Sequence, residues 1–415
     1  MVPDGWGKRL LSDLADVTSG GTPSRTKPEY WGGDIPWITT AEIGNWIIID
    51  SQERITALGL EESSAKIFPR GTVLLAMYGQ GKTRGQVARL GINASTNQAC
   101  AAILPKENVC GEFLYQNLLG RYEEIRNLSN DGSQKNLSGA LVKSIPILQP
   151  PIAEQEKIAE ILTAWDRAIE TIENLIENSQ TQKKALMRQL LTGKQRLSGF
   201  QGEWAFRRID QISKRVQRKS DGQDHPVLTI SSTSGFVRQD EKYSRYMAGK
   251  SVENYILLRK GEFAYNKGNS KTYQFGCVFD LDGYDTGLVP HVYVCFQLNN
   301  NLSHRYFKYI FESDYLKPQL GRLVNTGVRN NGLLNIKPSE FLGTKVPVPS
   351  LPEQEKISDI LEAGALQIEK LQQQLKCLNQ EKRALMQQLL TGKRRVKECN
   401  KKSLHRERWH ERLDK

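Results

Sequence analysis

Histidine and cysteine are scarce in this 415-residue chain, at five and six residues. Cys100, Cys110, Cys277, Cys295, Cys377 and Cys399 form no Cys-x-x-Cys pair, and no paired-histidine spacing is present. That excludes the common zinc sites and predicts ordinary reduced thiols rather than a disulfide framework. No apolar run is long enough to cross a bilayer, and the amino terminus lacks the apolar core of a signal peptide, so a cytoplasmic location is expected. Gly-x-Ser-x-Gly, His-Glu-x-x-His, an S-adenosylmethionine Gly-rich loop and (Asp/Asn)-Pro-Pro-(Tyr/Phe) are all missing. Asp280, Asp282 and Asp285 are close together but lack the spacing and closing Glu of an EF-hand, and read as turn acids. The chain therefore reads as non-catalytic, with no metal or cofactor of its own.

What is present is positive charge. Lys plus Arg number 58 against 46 Asp plus Glu, a net charge of +12, which favours a polyanionic partner. Ala76-Met-Tyr-Gly-Gln-Gly-Lys-Thr83 follows an apolar run and nearly fits the phosphate loop G-x-x-x-x-G-K-[ST]. Ala76 stands where the first Gly belongs, however, and Gly85 and Val87 fall where a helix should open. A basic, Gly-rich loop touching a nucleic-acid backbone is the better reading. The stretch from Lys393 to Lys415 is the densest in basic residues. It reads as a solvated end, with Arg394 and Arg395 also candidates to touch DNA or a partner.

The chain also repeats itself. Glu-Gln-Glu-Lys-Ile at 154–158 returns at 353–357, Ala-Leu-Met at 185–187 returns at 384–386, and Leu-Leu-Thr-Gly-Lys at 190–194 returns at 389–393. The constant offset marks a tandem duplication in which length itself is held. Steps of four and three residues pick out Ile158, Leu162, Trp165, Ile169, Ile172, Ile176, Ser179, Lys183, Leu186 and Leu190. The same steps in the second copy give Ile357, Leu361, Gly364, Ile368, Leu371, Leu375, Leu378, Lys382, Leu385 and Leu389. A 3.5-residue period sustained over nearly five heptads is a coiled-coil seam. Pro150 and Pro151 should precede the first helix and Pro352 the second, and Gly193 and Gly392 should close them. Each helix should run about 38 residues, about 57 Å. An antiparallel register sets Ile158 against Leu389, Leu162 against Leu385, Ile172 against Leu375 and Leu186 against Leu361. It places Trp165 opposite Lys382, whose stem can lie along the indole, and Lys183 opposite Gly364. A parallel register would bury Lys183 against Lys382.

The fold class expected is α+β: two strand-rich domains separated by two long helices in an antiparallel coiled coil, a pseudo-two-fold tandem repeat. The boundaries are 1–149 and 198–349 for the domains, 150–197 and 350–395 for the helices, and 396–415 for a basic tail. Weak echoes link the domains: Trp6 with Trp204, 69–76 with 258–265, and 132–137 with 327–333.

Gly20-Gly-Thr-Pro-Ser24 followed by Pro28-Glu-Tyr-Trp31-Gly-Gly-Asp-Ile-Pro-Trp37 resembles the opening of a target-recognition domain in type I restriction–modification specificity subunits. Pro-Pro-x-x-Glu-Gln-Glu-Lys-Ile (150–158), its second copy and the Lys-x-Ala-Leu-Met-x-x-Leu-Leu-Thr-Gly-Lys helix ends resemble that family's two conserved regions, over residues 1 to about 395. The resemblance implies a DNA-choosing subunit in which each domain reads half of a bipartite, asymmetric site and the helices set the gap. It implies two modification subunits with adenine-N6 methyltransferase chemistry and two ATP-dependent restriction subunits as partners. S-adenosylmethionine, ATP and Mg would then sit on those partners. The second domain lacks the Gly-Gly-Thr-Pro opening, which marks a different recognition subclass.

Loops at strand ends with mixed basic and amide side chains are the candidate DNA contacts: Gln80, Lys82, Arg84, Gln134, Lys135 and Asn136, and in the second domain Lys267, Asn269, Lys271, Arg329, Asn330 and Asn331. Trp6, Trp31 and Trp37 read as packing residues rather than base-stacking ones. Two further readings stay open from sequence: a stand-alone coiled-coil DNA-binding regulator, and an enzyme using the loop at 76–83.

Overall fold

The computed structural model describes residues 2–44, 47–79, 81–128, 136–242, 249–268, 270–324 and 334–396. The chain forms two compact units, Met1–Glu173 with Gln373–Lys415, and Asn174–Gln372. Each unit gathers one strand-rich domain with the start of one long helix and the end of the other.

In the first unit β1 (Gly7–Leu10) pairs antiparallel with β6 (Pro146–Gln149), bringing the two ends of the domain together. β2 (Ala15–Ser19), β5 (Cys100–Pro105), β3 (Val73–Ala76) and β4 (Val87–Leu90) form an antiparallel sheet in that order, extended at its edge by Ile47–Ile48. β3 is apolar throughout because both faces are covered. Val73 and Leu75 join a core with α1 (Gly111–Gly120), while Leu74 and Ala76 face a second core with Ile38 and Phe68. A short α2 (Tyr122–Asn127) follows α1. Glu53–Ile55, Trp31–Ile38, Ala94–Thr96 and Ile67–Phe68 make a separate four-stranded sheet.

The second unit repeats the frame. β7 (Ala205–Arg208) pairs with β12 (Lys345–Val348), and β8 (Ser213–Val216), β11 (Val294–Leu298), β9 (Phe263–Asn266) and β10 (Cys277–Asp280) form a sheet in that order. α4 (His304–Glu312) and α5 (Lys317–Leu323) take the places of α1 and α2. The turn into the central strand matches bond for bond: Gly71 and Gly261 both have positive φ, and each donates at 2.8 Å, to Leu90 O and Leu281 O. Away from this frame the units differ. Two-stranded ribbons, Leu228–Ser231 with Gly235–Arg238 and Ile256–Arg259 with Thr286–Val289, stand where the first unit has its second sheet.

The long helices are α3 (Ile152–Leu190) and α6 (Leu351–Leu389), 39 residues each. α6 starts at Leu351, ahead of the expected start after Pro352, so Pro352 lies inside its first turn, where the absent N–H has no intrahelical partner to lose. In the first unit Ile158 and Leu162 share a core with Leu385, Met386 and Leu389; in the second, Leu186 and Leu190 share one with Ile357 and Leu361. Starts therefore meet ends, and the pairing is antiparallel in each unit. Every seam residue is buried or half-buried, including Trp165, Ile169, Ile172, Ile176, Ile368, Leu371, Leu375 and Leu378, while most positions between them are exposed.

The two lysine layers are solved differently from the sequence expectation. Lys382 is paired with Asp166, which also accepts from Gln116 Nε2 at 2.6 Å; the ammonium takes a neighbouring carboxylate rather than lying along Trp165. Lys183 ion-pairs with Glu312 at 2.8 Å and lies 5.3 Å from the Tyr309 ring centroid, so α4 supplies its partners. Gly364 is left with open space: a Cβ there would meet no atom within 4 Å. Gly364→Ala is therefore expected to stabilise the second unit by about 0.8–1 kcal/mol, the helix-propensity difference. Calorimetry of the full chain checks this, and a lower melting temperature would contradict the open site.

A candidate nucleic-acid interface

The loop that leaves β3 and returns as β4 is the first arm of the site. It leads into a strand, not a helix, so the phosphate cradle of a nucleotide-binding loop is not built here. The second arm arrives from beyond α2, where the Leu137 N–H donates to Met77 O at 3.0 Å. In the second unit Leu334 N–H donates to Lys267 O at 3.0 Å, just after β9. Leu334 thus takes the place of Leu137, one residue later than the sequence echo suggested.

Lys82 is exposed on the first arm, Arg84 is half-buried beside it, and Asn136 is half-buried next to Leu137. In the second unit Lys271 is exposed. Lys267 is half-buried, and its ammonium donates to Ile336 O at 3.3 Å, so it ties the two arms together. Gln80, Gln134, Lys135, Asn269, Arg329, Asn330 and Asn331 lie outside the described residues. The bond from Leu137 to Met77 O thus sets Asn136 beside the start of the loop that carries Lys82 and Arg84.

The Gly-Gly-Thr-Pro motif turns out to be a packing device. A Cβ on Gly20 would fall 1.9 Å from Thr96 O, and one on Gly21 would fall 2.2 Å from Ser64 Oγ, so only glycine lets these backbones approach. Trp37 is buried and donates to Gly21 O at 3.0 Å. The Arg25 guanidinium lies 3.7 Å from the Trp31 ring centroid while also pairing with Glu53. These tryptophans hold the second sheet.

Sequence reasoning missed the chemistry of the repeated Glu-Gln pair. Glu154 accepts from Trp6 Nε1 at 3.0 Å and from Arg395 Nε and Nη2, each at 2.8 Å. Glu353 accepts from Trp204 Nε1 at 3.1 Å and from Arg196 Nε and Nη2 at 2.7 and 2.9 Å. Arg395 is thus a fastening, not a solvated tail residue or a free DNA contact. Gln155 spans Pro150 O and the Cys110 N–H; Gln354 spans Pro349 O and the Ser303 N–H. Each helix start is thereby bolted to its own domain and to the end of the other helix. The shared identities and the Trp6–Trp204 echo were signals; that Glu154 and Glu353 would meet partners 148 to 241 positions away was not legible.

Residues 3–178 match the family model described as type I restriction modification DNA specificity domain. The chain is 36% identical over 190 residues to the type I restriction enzyme MjaIX specificity subunit of Methanocaldococcus jannaschii, covering 45% of this chain and 42% of that protein. It is 28% identical over 170 residues to the EcoR124I/EcoR124II specificity subunit of Escherichia coli, again covering 42% of that protein. In these two alignments the chain thus spans about two-fifths of the curated relatives' length. The MjaVIII specificity subunit of the same archaeon aligns over 96% of this chain and 95% of its own length, at 21% identity. Among solved structures, the S subunit of the type I restriction-modification system from M. genitalium shares the fold with a TM-score of 0.56 at 15% identity, covering 94% of this chain and 96% of that one. Fold, duplicated frame and these likenesses point one way: residues 3–178 are similar to the type I restriction modification DNA specificity domain, and the chain shares the fold of a solved S subunit along 94% of its length. Among the described residues no helix is long and apolar enough to cross a membrane.

Proposed function

We propose that this chain is the non-catalytic subunit that selects the DNA sequence for a type I restriction–modification complex, each unit reading one half of a bipartite, asymmetric site. One observation carries the reading: the same sheet and the same two-armed loop site occur in both units, with unlike loop residues. A constant frame with divergent loops suits two readers of different half-sites. Lys82 and Lys271 are assigned to phosphates, and Arg84 and Asn136 to base edges, where guanidinium and amide groups recognise guanine and adenine bidentately. The invariant spacing of the repeated helices supports a role in setting the gap between half-sites.

The partners proposed are duplex DNA, two modification subunits and two restriction or translocase subunits. S-adenosylmethionine, ATP and Mg would act on those subunits, and the complex would work in the cytoplasm. Deleting this gene in a strain that expresses the partner subunits should remove N6-methyladenine from one bipartite motif and leave other motifs untouched. Genome-wide methylation mapping measures this directly. An unchanged methylome would contradict the proposal and favour a stand-alone DNA-binding regulator.

A further inference from the structure

We infer that Tyr122 and Arg126 on α2 are positioning residues that hold the 81–85 loop with its amides outward, as a preformed grip for a DNA phosphate in the first half-site. This rests on the reading of the chain as a DNA specificity subunit. Loop carbonyls point down onto α2. The Tyr122 hydroxyl donates to Lys82 O at 2.7 Å. The Arg126 guanidinium donates to Gly81 O and, at 3.3 Å, to Arg84 O, and a further bond at 3.0 Å reaches the Tyr122 hydroxyl. Gly85 sits directly on the helix, since a Cβ there would lie 3.2 Å from the Arg126 backbone.

In a planar trans peptide the N–H points opposite to the C=O. Turning the Gly81 and Lys82 carbonyls onto α2 therefore turns the Lys82 and Thr83 N–H groups away from it. Among the described residues neither of those N–H groups has a hydrogen-bond partner. Gly79, Gly81 and Gly85 all have positive φ, the backbone that lets neighbouring amides converge on an anion. The exposed Lys82 side chain adds a charge at the same place. In the second unit the corresponding loop is seated by other means: Tyr265 donates to Phe275 O at 2.7 Å, and the Phe275 ring packs where a Cβ on Gly321 would meet it at 2.9 Å. Among the described residues the device occurs in the first unit and not in the second.

The test uses the full chain in its complex with the modification subunits, binding a duplex that carries its own methylation motif at several salt concentrations. Tyr122→Phe should weaken binding about threefold to tenfold, the range of one hydrogen bond. Arg126→Ala should weaken it about tenfold or more and flatten the log–log salt slope by about 0.9, one phosphate's worth. Arg126→Lys should fail to rescue, because one ammonium cannot span both carbonyls. In a Lys82→Ala background the effect of Arg126→Ala should shrink below about threefold, since both act on one phosphate. If Arg126→Ala fails to fold, Tyr122→Phe carries the test. A loss with unchanged salt slope, or one fully additive with Lys82→Ala, would overturn the inference and leave Arg126 a structural residue. Wild-type binding with indistinguishable variants would also overturn it while leaving the functional reading intact. A wild-type complex that ignores its motif would instead contradict the functional reading.

Discussion

Glu353→Ala is expected to lower the melting temperature of the second unit by about 6–12 °C, from a loss of about 3 kcal/mol in a body of this size. The Glu353 side chain is 2% exposed and holds both Trp204 and Arg196, whose own side chain is 28% exposed. Removing the carboxylate leaves a largely buried guanidinium and an indole N–H without their acceptor. Glu154→Ala should cost the first unit less, about 2 kcal/mol, because Arg395 is 44% exposed and can turn to water. Two transitions resolved by calorimetry, each shifted by its own variant and in that order, would support the fastening. Equal shifts below about 1 kcal/mol would contradict it.

The first of these clusters also carries a pH signature. Burial pushes the Glu154 carboxyl up, but hydrogen bonds from Arg395, Trp6 and the Val396 N–H outweigh it and hold the group below its ordinary value. A carboxyl depressed in the folded state adds stability that is fully present above its unfolded pKa, about 4.3, and that is lost as pH falls through the folded value. The first unit should therefore lose stability on acidification below about pH 4, and Glu154→Gln should remove that part of the dependence.

The helices were legible because a 3.5-residue period survives any choice of core side chain, and burial follows it from Ile158 to Leu190. What the heptad could not disclose was the fate of its polar members. Periodicity assigns a face but not a rotamer, so Lys382 found Asp166, one position from the expected Trp165, and Lys183 found α4. The first central strand was legible as an apolar run, and the echo of 69–76 in 258–265 pointed to its counterpart; the matching turns at Gly71 and Gly261 emerged only in the fold. The Gly-Gly-Thr-Pro motif was recognised as a pattern, but its reason, backbones too close for any Cβ, needed Thr96 and Ser64 in place. Tyr122 and Arg126 had no legible role, because their partners are carbonyls some 40 residues away, which leave no mark on composition or spacing. The second unit's ribbons were hidden for the opposite reason: without the opening motif, nothing in the sequence indicated what replaces the second sheet.

The central claim is that two independent readers share one frame. Its most direct test replaces residues 1–149 with the matching domain of a relative that methylates a different motif, followed by genome-wide mapping of N6-methyladenine. The join lies before Pro150, so it keeps the whole of α3, α6, Glu154 and Arg395; the incoming domain must supply its own Trp for Glu154, as Trp6 does here. The account predicts a new motif in which one half has changed completely, while the other half and the gap between them stay as they were. A motif changed in both halves, or unchanged halves with an altered gap, would contradict it.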